Sequence, residues 1–309
     1  MVIHRYIGIM TAALLLASCN QDDDAAMPQG ADEARQPLTV STRAADDETF
    51  DSFRLYLHDL ATNTVTEEHI LTRDGETGAW LENGTYPVTD LLPAVVNAAV
   101  CDDPGQITFE NYLDAPETTT VTCRIPADQT DADKLAEAGK RMFAVSRLDK
   151  GQTLYLSFQH ACAKMLFIVN DAAVTNAGGK GKLTGINLAA HSEYVYHCEG
   201  EGAGNYYTWN EDDKCDVACF LAEADTGYDN KPTVTACVGY NKYKAGDILM
   251  TLSVDGIARN VPINADLTVE PGNVYTFTLD ITPKEVTATV VSNEGNDIPG
   301  WEESNETEL

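Results

Sequence analysis

The sequence predicts an all-β protein made of two antiparallel β-sandwich domains in tandem, with one short helix. Three observations support this fold class. Short runs of alternating apolar and polar residues recur along most of the chain, separated by turn-forming residues. The clearest alternation is Val274–Ile281, and Asn83-Gly84 is a tight-turn signal directly before another strand. Only Asp131–Val145 combines an apolar stripe with acidic residues at its start and basic residues towards its end, as a helix does.

The chain begins with the pattern of a bacterial export signal. A basic start containing Arg5 precedes an apolar run from Tyr6 to Ala17, and Cys19 follows after one small residue. The run is too short to span a membrane permanently, so residues 1–18 are interpreted as a signal peptide. The cysteine after the cleavage point resembles the lipobox of bacterial lipoproteins, in which Cys19 would carry the lipid. The alternative is an ordinary signal peptide followed by a coincidental cysteine.

Residues 19–37 have the composition of a disordered acidic tether. The tether opens with the acidic run Asn20–Asp24. This run is either a solvated spacer or an export signal similar to that of Bacteroidetes surface lipoproteins. We therefore expect the protein to act outside the cytoplasm, at the outer face of the outer membrane.

The charge of the chain excludes several classes of partner. It has 49 acidic and 20 basic residues, a net charge of −29, and Arg5 would leave with the signal peptide. So negative a chain is not expected to bind nucleic acid or anionic membrane surfaces. What remains after the signal peptide is long enough for two domains.

The N-terminal sandwich is predicted to span residues 38–150. Its expected strands are Leu38–Thr42, Phe53–Leu57, Thr64–Thr66, Thr85–Val88 and Ala94–Val100, and the helix Asp131–Val145 follows them. The turn Asp149-Lys150-Gly151 marks the predicted boundary between the domains.

The C-terminal sandwich is predicted to span residues 151–309 and to end in a polar tail. It opens with Leu154–Val169, either one long strand or two strands joined by a bulge. Further strands are expected at Lys182–Leu188, Glu193–His197, Tyr206–Trp209, Val217–Leu221, Thr233–Val238, Ile248–Val254, Ala258–Ile263, Val274–Ile281 and Glu285–Val291.

No catalytic constellation is evident in the sequence. His160 with Cys162 or Ser157 could act as base and nucleophile, but strand alternation places His160 on the same face as the apolar Phe158. Phosphate-binding loops, zinc-protease motifs and nucleophile elbows are absent from the sequence. We therefore predict that the protein is not an enzyme.

The cysteines favour neither a metal site nor one particular disulfide pattern. Seven cysteines follow Cys19, so at least one thiol has no partner within the chain. Export permits disulfides, and the pattern stays open. Cys215-x-x-x-Cys219 has a spacing found in metal sites, but no second pair with histidines follows it, and the adjacent His197-Cys198 would point to opposite faces of a strand. We predict no metal and no cofactor.

Several motifs, taken in order, resemble those of the Bacteroidetes fimbrillins, the Mfa-like pilins of type V fimbriae. They are Thr42-Arg43-Ala44 after the first strand, Phe158-x-His160-x-x-x-Lys164, Gly272-x-x-Tyr275-x-Phe277, and the ending Ile298-Pro299-Gly300-Trp301. The resemblance implies two tandem transthyretin-like sandwiches, export as a lipoprotein, and a structural or adhesive role in a fimbrium as a stalk, tip or anchor subunit.

The resemblance also implies a mode of assembly. In the polymerising members, a protease cuts after an arginine and releases the first strand, and the next subunit donates a strand to the vacated groove. Arg43 is the implied cleavage site, with Arg35 as the fallback. Residues 285–301 would supply the donor strand, and Ile298 and Trp301 are the apolar points of this tail. The alternative for Trp301 is a cap on the core of its own sandwich.

The implied partners are other pilin subunits, the outer membrane through the lipid on Cys19, and a host or bacterial surface ligand. A monomeric surface lipoprotein that binds glycans is the alternative function. In that case Tyr206, Tyr207 and Trp209 would form an aromatic platform for sugars.

Overall fold

The computed structural model describes residues 36–43, 50–60, 66–112, 118–149, 151–170, 183–199, 204–222, 231–254, 256–281 and 286–292. Within these ranges the elements are almost all β-strands, with one α-helix and a single turn of 3-10 helix at Pro104–Gln106. The predicted all-β class with one short helix is confirmed. No helix in the described ranges is long and apolar enough to cross a membrane. Cys19, Arg35, Ile298 and Trp301 lie outside the described residues.

The first half of the structure is built around a six-stranded antiparallel sheet. The elements of the first half, not all of which belong to this sheet, are β1 (Gln36–Pro37), β2 (Val40–Arg43), β3 (Ser52–Asp59), β4 (Thr66–Arg73), β5 (Trp80–Leu81), β6 (Val88–Thr89), β7 (Ala94–Val100), β8 (Ile107–Asn111), β9 (Thr118–Arg124), α1 (Ala132–Gly139), β10 (Met142–Leu148), β11 (Leu154–Ser157) and β12 (Gln159–His160). The strand order in this first sheet is β12-β10-β7-β3-β4-β5.

The core of the first half lies between one face of this sheet and the short strands that cover it. Leu55, Leu57 and Val96 project from the central strands and are completely buried. Leu154 and Leu156 of β11 pack against them from the covering layer. The alternation of buried and half-exposed residues along β3 is the period of two that the sequence predicted.

The predicted helix Asp131–Val145 is correct at its start and wrong at its end. Asp131 caps α1, because its side chain accepts a hydrogen bond from the Lys134 amide at 2.9 Å. The helix ends at Gly139, and the chain then forms β10, which pairs with β7 over seven residues. Burial of β10 in the middle of the sheet outweighs the local helix propensity of its residues.

The predicted long strand Leu154–Val169 is divided among three strands. β11 pairs with β2 in parallel, and β12 pairs with β10. The third, β13 (Ala163–Asn170), belongs to the second half. Residues 154–160 thus pair with the first half, although they follow the predicted boundary at residue 150. The division into domains at that residue stays a prediction.

The second half is a sandwich of two sheets. Its further strands are β14 (Leu183–His191), β15 (Glu193–Glu199), β16 (Tyr206–Thr208), β17 (Lys214–Ala218), β18 (Phe220–Ala222), β19 (Thr233–Val238), β20 (Asn241–Tyr243), β21 (Ile248–Val254), β22 (Ile257–Pro262), β23 (Leu267–Val269), β24 (Val274–Ile281) and β25 (Val286–Ser292). One sheet has the order β18-β19-β13-β24-β25 and the other β17-β14-β21-β22. Phe167 and Phe277 stack in the core, with ring centroids 4.7 Å apart.

A further sheet joins the two halves. We call it the bridging sheet; its order is β16-β15-β9-β8, so two strands come from each half. β9 and β15 pair along their whole lengths, from Glu193 opposite Arg124 to Glu199 opposite Thr118. The inner face of the bridging sheet packs against the first sheet through a buried cluster that contains Phe143 and Tyr196.

Candidate functional site

The first described segment, residues 36–43, covers the apolar face of the first sheet; we call it the covering segment. β1 pairs with β6, and the Leu38 amide donates a hydrogen bond to the Pro87 carbonyl at 2.8 Å. Leu38 is only 2 % exposed and lies in the core of the first half. The covering segment therefore supplies an apolar side chain that the core would otherwise lack.

The C-terminal part of the covering segment is held along one side by β11. The Leu154 amide donates to the Thr39 carbonyl at 2.9 Å, and the Phe158 amide donates to the Arg43 carbonyl at 2.8 Å. Among the described strands, β2 pairs with β11 alone. Removing the segment would therefore leave the backbone edge of β11 unpaired, and an unpaired edge is a template for another strand.

A cluster of aromatic rings lies under the end of the covering segment. Phe50 and Phe53 contact each other, and each also contacts Trp80 and Phe158, with ring centroids 4.8–6.0 Å apart. The Trp80 indole Nε1–H donates a hydrogen bond to the Thr42 hydroxyl at 3.2 Å. The sequence did not single out Phe50 or Trp80, because neither stands in a run of regular alternation.

Arg43, the candidate cleavage site, is the last residue of the covering segment. It is the last residue of β2, and its side chain is exposed. Its carbonyl is held by Phe158, so the bond to Ala44 follows directly after the last paired residue. The fallback, Arg35, lies outside the described residues.

The structure divides the predicted donor region, residues 285–301. Its first part is β25, which pairs with β24 at the edge of the second sandwich. Val286 and Ala288 are each 3 % exposed and belong to the core of that sandwich. Ile298 and Trp301 lie outside the described residues. A donor strand that leaves the second sandwich intact must therefore begin after Ser292.

The predicted aromatic platform for sugars is not assembled. Tyr206 is 44 % exposed and stacks on His197, with ring centroids 4.3 Å apart. Tyr207, on the opposite face of β16, and Trp209, which follows the strand, pack against Tyr240 with ring centroids 4.5 Å and 5.1 Å away. Neighbouring residues of a strand point to opposite faces, so the three rings cannot present one surface.

The residues considered for nucleophilic chemistry are not gathered around a solvent-accessible site. His160 is 2 % exposed. Cys162 is completely buried, and its thiol donates to the Ala138 carbonyl at 3.3 Å. Ser157 is exposed on β11. Among the described residues, no group of three or more histidine, cysteine, aspartate or glutamate side chains lies close enough to hold a metal ion.

The cysteines that follow Cys19 are free thiols in buried or half-buried positions. All seven that follow Cys19 lie in the described ranges, and none forms a disulfide. Burial raises the pKa of the Cys123 and Cys219 thiols to about 12. Burial also raises the pKa of the half-buried Cys101, Cys198 and Cys215.

We expect the folded protein to react slowly with Ellman's reagent at pH 8. The thiolate is the reactive form, and a raised pKa lowers its fraction at that pH. Cys123 and Cys219 should stay unmodified until the protein is unfolded in guanidinium chloride, whereas Cys101, Cys198 and Cys215 should react slowly in the folded state. Mass spectrometry of the labelled peptides identifies each thiol. Rapid labelling of Cys123 or Cys219 in the folded protein would contradict the burial described above.

The solved structures that match this chain include proteins from Bacteroides and Porphyromonas species. They include a protein from Bacteroides uniformis with a proposed role in cell adhesion (15 % identity, TM-score 0.49, 84 % of this chain and 99 % of that chain covered). A fimbrial protein from Bacteroides vulgatus gives 12 % identity and a TM-score of 0.46, with 83 % and 99 % covered. The tip fimbrial protein Mfa3 from Porphyromonas gingivalis gives 12 % identity and a TM-score of 0.45, with 83 % and 98 % covered. No protein-family model and no curated protein matches the sequence.

Proposed function

We propose that this chain is a structural or adhesive subunit of a cell-surface fimbria, similar to the Bacteroidetes fimbrillins and exported to the outer membrane as a lipoprotein through Cys19. One observation carries the proposal. A short strand ends in the exposed Arg43, covers an apolar face lined by aromatic rings, and is paired along one side only. The ordered motifs of the sequence support the same conclusion.

Removal of the covering segment would create an acceptor for a foreign strand. A cut after Arg43 detaches residues 36–43 from the rest of the chain. Their release uncovers the Leu38 site and the backbone amides of Leu154 and Phe158, which now donate to the Thr39 and Arg43 carbonyls. A strand from a neighbouring subunit satisfies both requirements at once, because its backbone pairs with β11 while its apolar side chains fill the vacated core.

The donor in this proposal is the tail after Ser292, with Ile298 and Trp301 as its apolar anchors. Donor and acceptor are different parts of the chain, so each added subunit leaves one free donor and one free acceptor. Such head-to-tail contacts do not close and therefore produce a filament.

The test is limited trypsin digestion of the purified protein, followed by gel electrophoresis without boiling. We expect a new N-terminus at Ala44 and a ladder of oligomers from the wild-type protein. An Arg43→Ala variant should give neither, while the matched Arg35→Ala variant should behave like the wild type. A variant that ends at Ser292 should be cut but should not form ladders, and it keeps β25 in the core of its sandwich.

Ladders from the Arg43→Ala variant, or from the variant ending at Ser292, would overturn the donor-strand mechanism. Cleavage at Ala44 without ladders from the wild type would also overturn it. In that case a monomeric surface lipoprotein becomes the better description of the chain.

A further inference from the structure

A concave site lies at the junction of the two halves, and none of its lining residues belongs to the covering segment; we call it the Trp209 cleft. It has a volume of ≈ 710 Å³. Arg124 and Ile125 at the end of β9 line one side. The rest of the lining is formed by Ser192 and β15 residues 193–195, by Thr208 of β16, and by Trp209, Asn210, Asp212 and Asp213 after it. Binding sites for small ligands have volumes of about 300–1,000 Å³, so the cleft is large enough for one.

The indole of Trp209 is held in a fixed position beside the cleft. Tyr240 packs against it at a centroid distance of 5.1 Å, and the Lys242 ammonium lies 5.3 Å from the ring centroid. Neither Tyr240 nor Lys242 lines the cleft, so both support the indole from outside it. A half-buried aromatic ring with such support presents its remaining surface to a ligand at a small cost in conformational entropy.

The polar groups of the cleft are also fixed before any ligand arrives. The Ser192 hydroxyl donates to the Asp213 carboxylate at 2.6 Å, and the Asn210 side chain accepts from the Asp212 amide at 3.1 Å. Arg124 and Glu193 form an ion pair at 2.7 Å. The walls therefore combine hydroxyl, amide, guanidinium and carboxylate groups with two aromatic residues, Trp209 and Tyr194.

We infer that the Trp209 cleft binds an uncharged oligosaccharide. A saccharide presents hydroxyl groups that both donate and accept hydrogen bonds, and its apolar C–H face packs on an indole. A site for a cation would be lined by acceptors alone, whereas this one also contains the donors Arg124 and Asn210. Glu193, Asp212 and Asp213 outnumber the one basic residue of the lining, so an anionic sugar is disfavoured.

This inference rests on the proposed function, because an adhesive subunit requires a site for its ligand. Its location differs from the platform that the sequence suggested. Of the three aromatic residues of that platform, only Trp209 lines the cleft, and Tyr206 points away from Trp209 across the strand.

The test is binding of the purified, uncut full chain to an array of neutral galactose-, fucose-, mannose- and N-acetylglucosamine-terminated oligosaccharides, with sialylated counterparts of the same cores. We expect binding to at least one neutral glycan and markedly weaker binding to its sialylated counterpart. Trp209→Ala should weaken the binding about tenfold or more, as loss of an anchoring aromatic residue does. Tyr206→Ala, on the opposite face, should leave the affinity unchanged within about twofold.

A second variant separates loss of binding from loss of stability if Trp209→Ala lowers the melting temperature. Asp212→Ala removes an exposed side chain of the cleft and should also weaken binding without changing the melting temperature. Absence of binding to every neutral glycan would overturn the inference, and so would preferred binding of the sialylated forms. Binding of hexalysine without binding of any glycan would show that the cleft takes cations instead. Because the assay uses uncut monomer, failure of fimbrial assembly would leave its result unchanged.

Discussion

Replacing Gln129 with alanine is expected to lower the free energy of unfolding by about 3 kcal/mol or more, because two buried backbone groups lose their partner. The Gln129 side chain is completely buried. Its Nε2 donates to the Cys237 carbonyl at 2.7 Å, and its Oε1 accepts from the Cys237 amide at 2.7 Å. β18 pairs with β19 only as far as Thr235. Beyond that point the side-chain amide of Gln129 pairs with the Cys237 backbone, where a longer β18 would otherwise continue the ladder.

The matched control is Gln152→Ala, which removes an exposed glutamine side chain and should change stability by less than about 0.5 kcal/mol. Gln129→Glu keeps the acceptor for the Cys237 amide but loses the donor and buries a carboxylate, so we expect at least the same loss at neutral pH. Unfolding in guanidinium chloride, monitored by tryptophan fluorescence, gives the free energy of unfolding of all three variants. A Gln129→Ala protein as stable as the Gln152→Ala protein would show that the contact between Gln129 and Cys237 does not stabilise the fold.

The parts of the fold that the sequence predicted are those with a local signal. Ala94–Val100 is apolar at every position except Asn97, and Val274–Ile281 shows the clearest alternation; both are strands with the predicted bounds. Ile107–Asn111 and Thr118–Arg124 were not predicted, although they are strands of the bridging sheet. Their residues are mostly polar, and they form strands because β15 pairs with β9 from the other half of the chain.

The candidate site also has one feature that a local sequence signal predicts and others that no local signal reveals. The exposure of Arg43 at the end of a short strand could be read from its position after Leu38–Thr42. Its pairing with β11 could not, because parallel strands distant in the chain leave no local pattern that identifies the partner. The role of Gln129 was equally hidden, since a single glutamine in a loop has the same appearance in the sequence whether it is buried or exposed.

Replacing Gly239 with alanine is expected to destabilise the protein by about 3 kcal/mol, at the upper end of the usual cost of overpacking. A Cβ at this position would lie 2.5 Å from Cδ1 and 3.0 Å from Cε1 of Tyr194. That ring cannot move away easily, because Tyr194 is 1 % exposed and its hydroxyl donates to the Ala161 carbonyl at 2.7 Å. The effect should appear as a lower midpoint in guanidinium unfolding.

The control for this prediction is Gly204→Ala, since an added Cβ there would meet no atom within 4 Å. A double-mutant cycle with Tyr194→Ala tests the cause directly. If the Tyr194 ring is the obstacle, Gly239→Ala should cost little in the Tyr194→Ala background, and the coupling energy should equal most of its cost in the wild type. An unchanged cost in that background would place the strain elsewhere, against Ile125, whose Cγ1 lies 3.4 Å from the same added atom.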